Sequence, residues 1–389
     1  MREGWEYKKL GEVCTIERGG SPRPITNYIT DSEDGINWIK IGDAQEGSKY
    51  ITSTKEKIKP EGIKKSRFVH KGDFILSNSM SFGRPYILKV DGCIHDGWLV
   101  IHDNNEVFIK DYLYYILSSP IMYAKFSQLA VGGVVNNLNS SLVRKVAIPL
   151  PPKSTQLAIV SELDKINELI RLKKEQLKDL DKLAQSIFYE MFGDPVENEK
   201  GWEVKMLNDI SQEIGDGLHG TPEYSDVDTG CFFINGNNLE NGIIVIKDNT
   251  KTVSEKTKAK HYIEMDDFTI LVSINGTLGK VAFYRGENVI LGKSACYIKL
   301  TSYNDKKYIY ELLKSEYFKR YAETECTGTT IRNVSLKSMR NFPIPLPPLP
   351  LQHLFAHRIE QIEHQKAEVQ KAITDLETLL ASRMQYWFE

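Results

Sequence analysis

The chain has 389 residues, 41% hydrophobic, 26% charged and 10% aromatic, with a formal net charge of -2 at pH 7. That length exceeds one compact core and suits two or three domains, and the composition excludes a disordered or low-complexity chain. No apolar run reaches the roughly 18 to 20 residues of a membrane span, no secretion-type stretch opens the chain, and no global basic field exists. A cytoplasmic protein with no membrane partner is therefore expected, and any nucleic-acid binding must be local.

In chain order, residues 1 to 150 open on Gly4-Trp5-Glu6-Tyr7-Lys8-Lys9-Leu10 and continue in short β-rich runs separated by Gly, Asn and Asp turns. Phe74-Ile75-Leu76 and Trp98-Leu99-Val100-Ile101 are such runs. One helix is predicted around residues 111 to 126, broken or kinked by Pro120. The segment closes on Ile148-Pro149-Leu150-Pro151-Pro152, which forces an extended exit.

Beyond the prolines the pattern becomes helical. Steps of three and four from Gln156 reach Ile159, Leu163, Ile166, Ile170, Lys173, Leu177, Leu180, Ala184, Ile187 and Met191. The series then starts again. Gly201-Trp202-Glu203-Val204-Lys205-Met206-Leu207 repeats five of the seven opening residues at an offset of 197. Ser21-Pro22 is answered by Thr221-Pro222, Asn37 to Ile41 by Phe232 to Gly236, Gly83 by Gly279, Tyr112 by Tyr308, and Arg144 by Arg340. Strands at Ile243 to Ile246 and Val281 to Tyr284 and a helix at 306 to 322 are predicted, and Ile344-Pro345-Leu346-Pro347-Pro348 repeats the proline exit. From Gln352 a second seam runs through Phe355, Ile359, Ile362, Lys366, Val369, Ile373, Leu376, Leu380, Arg383 and Trp387.

The expected fold is α+β: two β-rich mixed domains in tandem, separated by two long helices that pair as an antiparallel coiled coil with pseudo-twofold symmetry. Its boundaries are 1–150, 151–195, 196–348 and 349–389. Each helix should span roughly 50 Å, with Leu163, Ile166, Ile170, Leu177, Leu180, Ile187, Ile359, Ile362, Val369, Ile373, Leu376 and Leu380 holding the pair. Segment charge follows this division. Lys+Arg against Asp+Glu is 20 to 17 over 1–150 and 19 to 19 over 200–348, but 7 to 10 over 151–199 and 4 to 6 over 349–389. Acidic helices do not seek phosphate and more often meet protein.

Two copies of Gly-Trp-x-x-x-x-Leu, each opening a β-rich unit that ends in Ile-Pro-Leu-Pro-Pro, a Gln and a heptad helix, resemble the specificity (S) subunit of a Type I restriction-modification enzyme. The resemblance covers essentially the whole chain. It implies two target recognition domains, each reading one half of a bipartite double-stranded DNA sequence, and conserved spacer helices that set the gap and dock two methyltransferase (M) subunits. It also implies a restriction (R) partner. The chain itself would be non-catalytic and hold no cofactor: S-adenosylmethionine belongs to the methyltransferase partner, and ATP and Mg to the restriction partner. A duplicated DNA- or protein-binding scaffold or regulator acting without a methyltransferase remains the alternative, distinguished by co-purification, and an enzyme in its own right would show activity alone.

Base edges are gripped by Arg on guanine, by Asn or Gln on adenine, and by small hydroxyls. Candidates in the first domain are Arg18, Ser21, Arg23, Lys40, Asn78, Arg84, Asn136 and Asn137. The second offers His219, Thr221, Asn235, Asn237, Asn238, Asn275, Lys280 and Arg332. The matched loops Gly19-Gly20-Ser21-Pro22 with Gly220-Thr221-Pro222, and Gly132-Gly133 with Gly328, are preferred, although Asn beside Gly also serves turns.

Other chemistries fail on spacing. Gly286-x5-Gly292-Lys293-Ser294 has one residue too many for a phosphate-binding loop and precedes a strand-like run. His353 and His357 lack the Glu of HExxH, so no metal site is expected. Cys14, Cys93, Cys231, Cys296 and Cys326 are odd in number and contain no CxxC pair, which points to buried free thiols.

Overall fold

The computed structural model describes residues 4–45, 47–78, 83–103, 106–130, 138–326 and 332–389. It divides into Met1–Glu175 with Gln370–Glu389, and Gln176–Val369. Each unit combines one globular part with stretches of both long helices.

In the first unit Glu6–Lys9 pairs antiparallel with Ala147–Leu150, which brings the opening segment beside the proline exit. The pairing is confined to a two-stranded sheet, where a proline's missing N–H is tolerated. Two five-stranded sheets follow. One has the order Cys14–Arg18, Trp98–Asp103, Phe74–Ser77, Pro85–Leu88, Tyr50–Ile51. The other has the order Ile29–Thr30, Glu56–Ile58, Ile36–Ile39, Gly92–Ile94, Arg67–Val69. The run Trp98 to Ile101 is continuously apolar because both of its faces are buried. Leu99 and Ile101 enter the core shared with the helices, while Trp98 and Val100 enter a second core between strands.

The second unit repeats this plan. Glu203–Met206 pairs antiparallel with Pro343–Leu346. A four-stranded sheet has the order Ser211–Asp216, Ala295–Leu300, Thr269–Ser273, Val281–Phe283. Phe232–Ile234 pairs parallel with Val289–Leu291, as Ile36–Ile39 does with Gly92–Ile94. Of the predicted strand at 243 to 246, only Ile243–Ile244 forms, in a pair with Leu239–Glu240.

The helix predicted in each globular part is two helices, Lys110–Ser118 with Pro120–Ala130 and Lys306–Lys314 with Glu316–Glu325. The second break occurs without proline. Its cause is shared: the hydroxyls of Ser119 and Ser315 donate back to the carbonyls of Ile116 and Leu312, ending the first helix.

Two 40-residue helices, Lys153–Phe192 and Leu349–Phe388, follow the proline exits. At 1.5 Å per residue each is about 60 Å long, longer than the sequence pattern suggested. They run antiparallel in both units. In the first, Glu162 takes the Arg383 guanidinium and the Trp387 indole N–H, and Lys174 meets Glu377 at 2.8 Å. In the second, Lys366 meets Asp181 at 2.9 Å while Phe188 and Phe192 pack on Phe355. The polar interruptions Lys366 and Arg383 thus sit opposite carboxylates. Of the twelve seam residues, Leu163, Ile166, Ile170, Leu180, Ile359, Ile362, Val369 and Ile373 are buried, and Leu177, Ile187, Leu376 and Leu380 are half-buried.

One buried amide recurs at each helix start. Gln156, 1% exposed, accepts from the Ile109 N–H at 2.7 Å and donates to the carbonyls of Val107 and Pro151. Gln352, 2% exposed, accepts from the Asp305 N–H at 2.9 Å and donates to Pro347. Each joins a helix to the proline exit and to the start of the first short helix, satisfying backbone groups that would otherwise be orphaned.

Candidate nucleic-acid interface

The candidates lie at strand ends. Arg18 ends Cys14–Arg18, Lys40 follows Ile36–Ile39, Asn78 follows Phe74–Ser77, and Arg84 precedes Pro85–Leu88. Arg18 pairs with Leu99, Trp98 with Ser77 and Leu76 with Pro85, so the register gathers the ends bearing Arg18, Asn78 and Arg84 at one end of their sheet, while Lys40 ends a strand of the other. The turn between Gly92–Ile94 and Trp98–Asp103 supplies the residue around which they assemble.

That residue is Asp96. Its Oδ1 accepts from the Ser21 hydroxyl at 2.8 Å and meets His95 Nε2 at 3.0 Å, and its Oδ2 faces Arg23 Nη2 at 3.7 Å. Its carbonyl accepts from Arg18 Nε at 2.9 Å and Asn78 Nδ2 at 3.0 Å. Burial pushes the Asp96 carboxyl up, but the Ser21 hydrogen bond and the charges of His95 and Arg18 outweigh it and hold the group below the usual carboxylate range. His95 is lowered by burial first, with Lys40 and Arg18 adding to the effect and Asp96 opposing it. Four predicted residues, Arg18, Ser21, Arg23 and Asn78, therefore contact one acidic residue.

Arg18, Arg23 and Arg84 are exposed, Ser21 and Lys40 are half-buried, and Lys40 pairs with Glu56. Asn78 is 3% exposed and its Oδ1 has no partner among the described residues. Gly19 is required for close approach, because a Cβ there would stand 2.3 Å from the His95 carbonyl. The equivalent Gly217 would place a Cβ 2.0 Å from the Leu291 carbonyl. Asn136, Asn137 and the Gly132-Gly133 and Gly328 loops lie outside the described residues.

The second unit brings the corresponding strand ends together. His219 Nε2 meets Asp216 at 2.7 Å, Asn235 Oδ1 accepts from Ser294 at 2.9 Å, and Asn275 Nδ2 reaches Asn333 at 3.3 Å. The Arg332 carbonyl accepts from the Gly276 N–H, and its guanidinium meets Glu323 at 2.9 Å. Thr221 and Asn237 are exposed and Lys280 is half-buried. Asn238 is 8% exposed, and its amide is used by the Asn235 N–H, the Val245 carbonyl and Thr250.

Asp96 and His95 escaped the sequence reading, and Lys293 and Ser294 entered it only as a rejected phosphate-binding loop, not as members of the DNA-facing loops. Carrying the offset of 197 one turn further would have aligned His95-Asp96-Gly97 with Gly292-Lys293-Ser294. Lys293-Ser294 leads into the strand Ala295–Leu300, where a phosphate-binding loop needs a helix. Among the described residues no group of three or more His, Cys, Asp or Glu could hold a metal, and His353 pairs with Asp305 at 2.9 Å. Among the described residues no helix is long and apolar enough to cross a membrane.

The family model described as the Type I restriction modification DNA specificity domain matches residues 2–182 and again 199–378. The Type I restriction enzyme MjaIX specificity subunit of Methanocaldococcus jannaschii is 24% identical over 96% of this chain and 90% of its own. The EcoKI specificity subunit of Escherichia coli is 21% identical over 96% of this chain and 85% of its own. A solved chain from work on complex assembly and conformational transition of the type I R-M system superposes with a TM-score of 0.66 at 18% identity, covering 99% of this chain and 97% of that one. With two tandem matches that together cover most of its length, the chain belongs to the Type I restriction modification DNA specificity family.

Proposed function

We propose that each globular part reads one half of a split double-stranded DNA target, and that the long helices set the number of unread base pairs between the halves. The observation that carries this reading is the tandem pair of specificity domains, each presenting a matched set of strand-end loops. The chain acts as the recognition component of a Type I restriction-modification complex and leaves the chemistry to its partners. Two methyltransferase subunits dock on the helices, and restriction subunits join the complex. S-adenosylmethionine is bound by the methyltransferase, and ATP with Mg by the restriction subunit.

Within the loops, the exposed Arg18, Arg23, Arg84, His219, Thr221, Asn237 and Arg332 reach the DNA, together with the half-buried Ser21, Lys40, Asn275 and Lys280. Asn78 through its Nδ2, Asn235 through its Oδ1 and Asn238 through both ends of its amide are engaged within the chain and shape the loops behind them. Arginine edges suit guanine, asparagine amides suit adenine, and cations at the rim neutralise phosphate.

The test is co-expression of the full chain with a methyltransferase subunit encoded beside it, followed by methylome sequencing of cells with and without the chain. One split adenine motif should appear only with the chain, and the purified complex should hold two methyltransferase subunits per chain. Methylation of a continuous site, or the same motif in its absence, would overturn the reading.

A further inference from the structure

The two units place opposite charges at the same point of their loops. Their register fixes the equivalence. Ser77 O accepts from Gly83 N–H and Ser77 Oγ from Arg84 N–H, as Ser273 O and Oγ do from Gly279 and Lys280. Ser77 pairs with Trp98, and Ser273 with Ala295. Arg18 pairs with Leu99, and Asp216 with Cys296. The next residue after each serine donates to Gly97 in one unit and to Ser294 in the other. Counting back from these pairs, Asp96 corresponds to Lys293 and Arg18 to Asp216.

The backbone does not demand either sign. The Gly20 N–H donates to Ile94 and the Leu218 N–H to Leu291, so the same closure forms with aspartate in one turn and lysine in the other. In the first unit Asp96 Oδ1 is held by Ser21 and His95, while among the described residues Oδ2 has only Arg23 at 3.7 Å, beyond hydrogen-bond length. That oxygen keeps acceptor capacity, and Asp96 retains 30% side-chain exposure. Lys293 is exposed. An ionised carboxylate among loops that face a phosphate polyanion is repelled by the backbone, and its favourable partners there are amino groups on base edges.

We infer that Asp96 and Lys293 are specificity-determining residues at the equivalent position of the two readers. Asp96 accepts from an amino-bearing base edge, N4 of cytosine or N6 of adenine. Lys293 donates to the O6/N7 edge of guanine. Asp96 also positions Ser21 and, through its carbonyl, Arg18. The inference rests on the DNA-reading assignment above and adds which residue separates the two half-sites.

The test selects duplexes from a randomised library with the full chain in complex with its methyltransferase subunits, comparing wild type, Asp96→Asn, Ser21→Ala and Lys293→Gln. Asp96→Asn should relax the preference at one base pair of one half-site by roughly five- to a hundredfold, leaving the other half-site and the gap unchanged. Ser21→Ala should act more weakly at that same base pair. Lys293→Gln should relax a guanine in the other half-site. Lys293 is exposed, so this variant keeps the test decisive if Asp96→Asn fails to fold. Retention of the wild-type motif by both Asp96→Asn and Lys293→Gln, or equal loss of binding to every sequence, overturns the inference. Failure of the wild-type complex to enrich any split motif overturns the DNA-reading assignment instead.

Discussion

Replacing Gln156 with leucine isolates the contribution of the buried amide that joins the first long helix to its globular part. Three hydrogen bonds end on this side chain, at 2.7, 3.1 and 3.0 Å, and it is 1% exposed, so water cannot replace them. Leucine of similar volume leaves the Ile109 N–H and two carbonyls unpaired. An orphaned donor costs about 1–3 kcal/mol and each carbonyl about 0.5–1 kcal/mol, because a second lone pair relaxes the demand, which gives a loss of about 2–5 kcal/mol. Gln352→Leu removes two such bonds and should cost less, about 1.5–4 kcal/mol. Urea unfolding of the full chain measures the total, and amide exchange at Ile109 reports the local opening. A Gln156→Leu variant within about 0.5 kcal/mol of wild type, with Ile109 exchange unchanged, would refute the role given to this amide.

The helix seam gives a graded expectation. Leu163, fully buried beside Ile159 and Met384, should lose about 4 kcal/mol or more as Leu163→Asp, whereas the half-buried Leu177 should lose clearly less as Leu177→Asp. Equal losses in urea would contradict the packing. Glu311 carries a raised carboxyl, pushed up first by burial and further by Glu363, with Lys314 and Lys366 opposing. Its stabilising effect is complete below the unfolded value of about 4.3 and is lost as pH rises through the higher folded value. The stability of Glu311→Gln relative to wild type should therefore grow across that window and then level off, and a pH-independent difference would count against it. Burial pushes the Cys14 thiol up to about 12, with Asp103 adding to the shift, and raises Cys93, Cys231 and Cys296 as well. A thiol reagent at neutral pH should label the half-buried Cys326 first and all five cysteines only after unfolding, as mass spectrometry of the labelled peptides would read. Rapid labelling of Cys14 or Cys296 in the folded chain would show that the cores are not closed.

The linear order of the chain determined the duplication, the helix-bearing segments and the membership in a family, because each is carried by spacings that survive without contacts. Gly-Trp and Ile-Pro-Leu-Pro-Pro mark where each unit opens and closes, and steps of three and four from Gln156 and Gln352 mark an apolar stripe wherever the helix is placed. Even the polar members of the seam were visible, though not their purpose. Only the tertiary structure set Lys366 against Asp181 and Arg383 against Glu162, since those carboxylates lie about two hundred residues away. It also ended the helix at Ser315, where a hydroxyl outcompetes the next turn for a carbonyl. The loops show the same limit. Arg18, Ser21, Arg23 and Asn78 could be chosen one by one for the donors they carry, but Asp96, an acid with no reason to stand out, became their common partner only when strand register closed three segments onto one end of a sheet. Side-chain type is a local property of the sequence, whereas convergence depends on which strand ends the hydrogen-bond ladder places side by side.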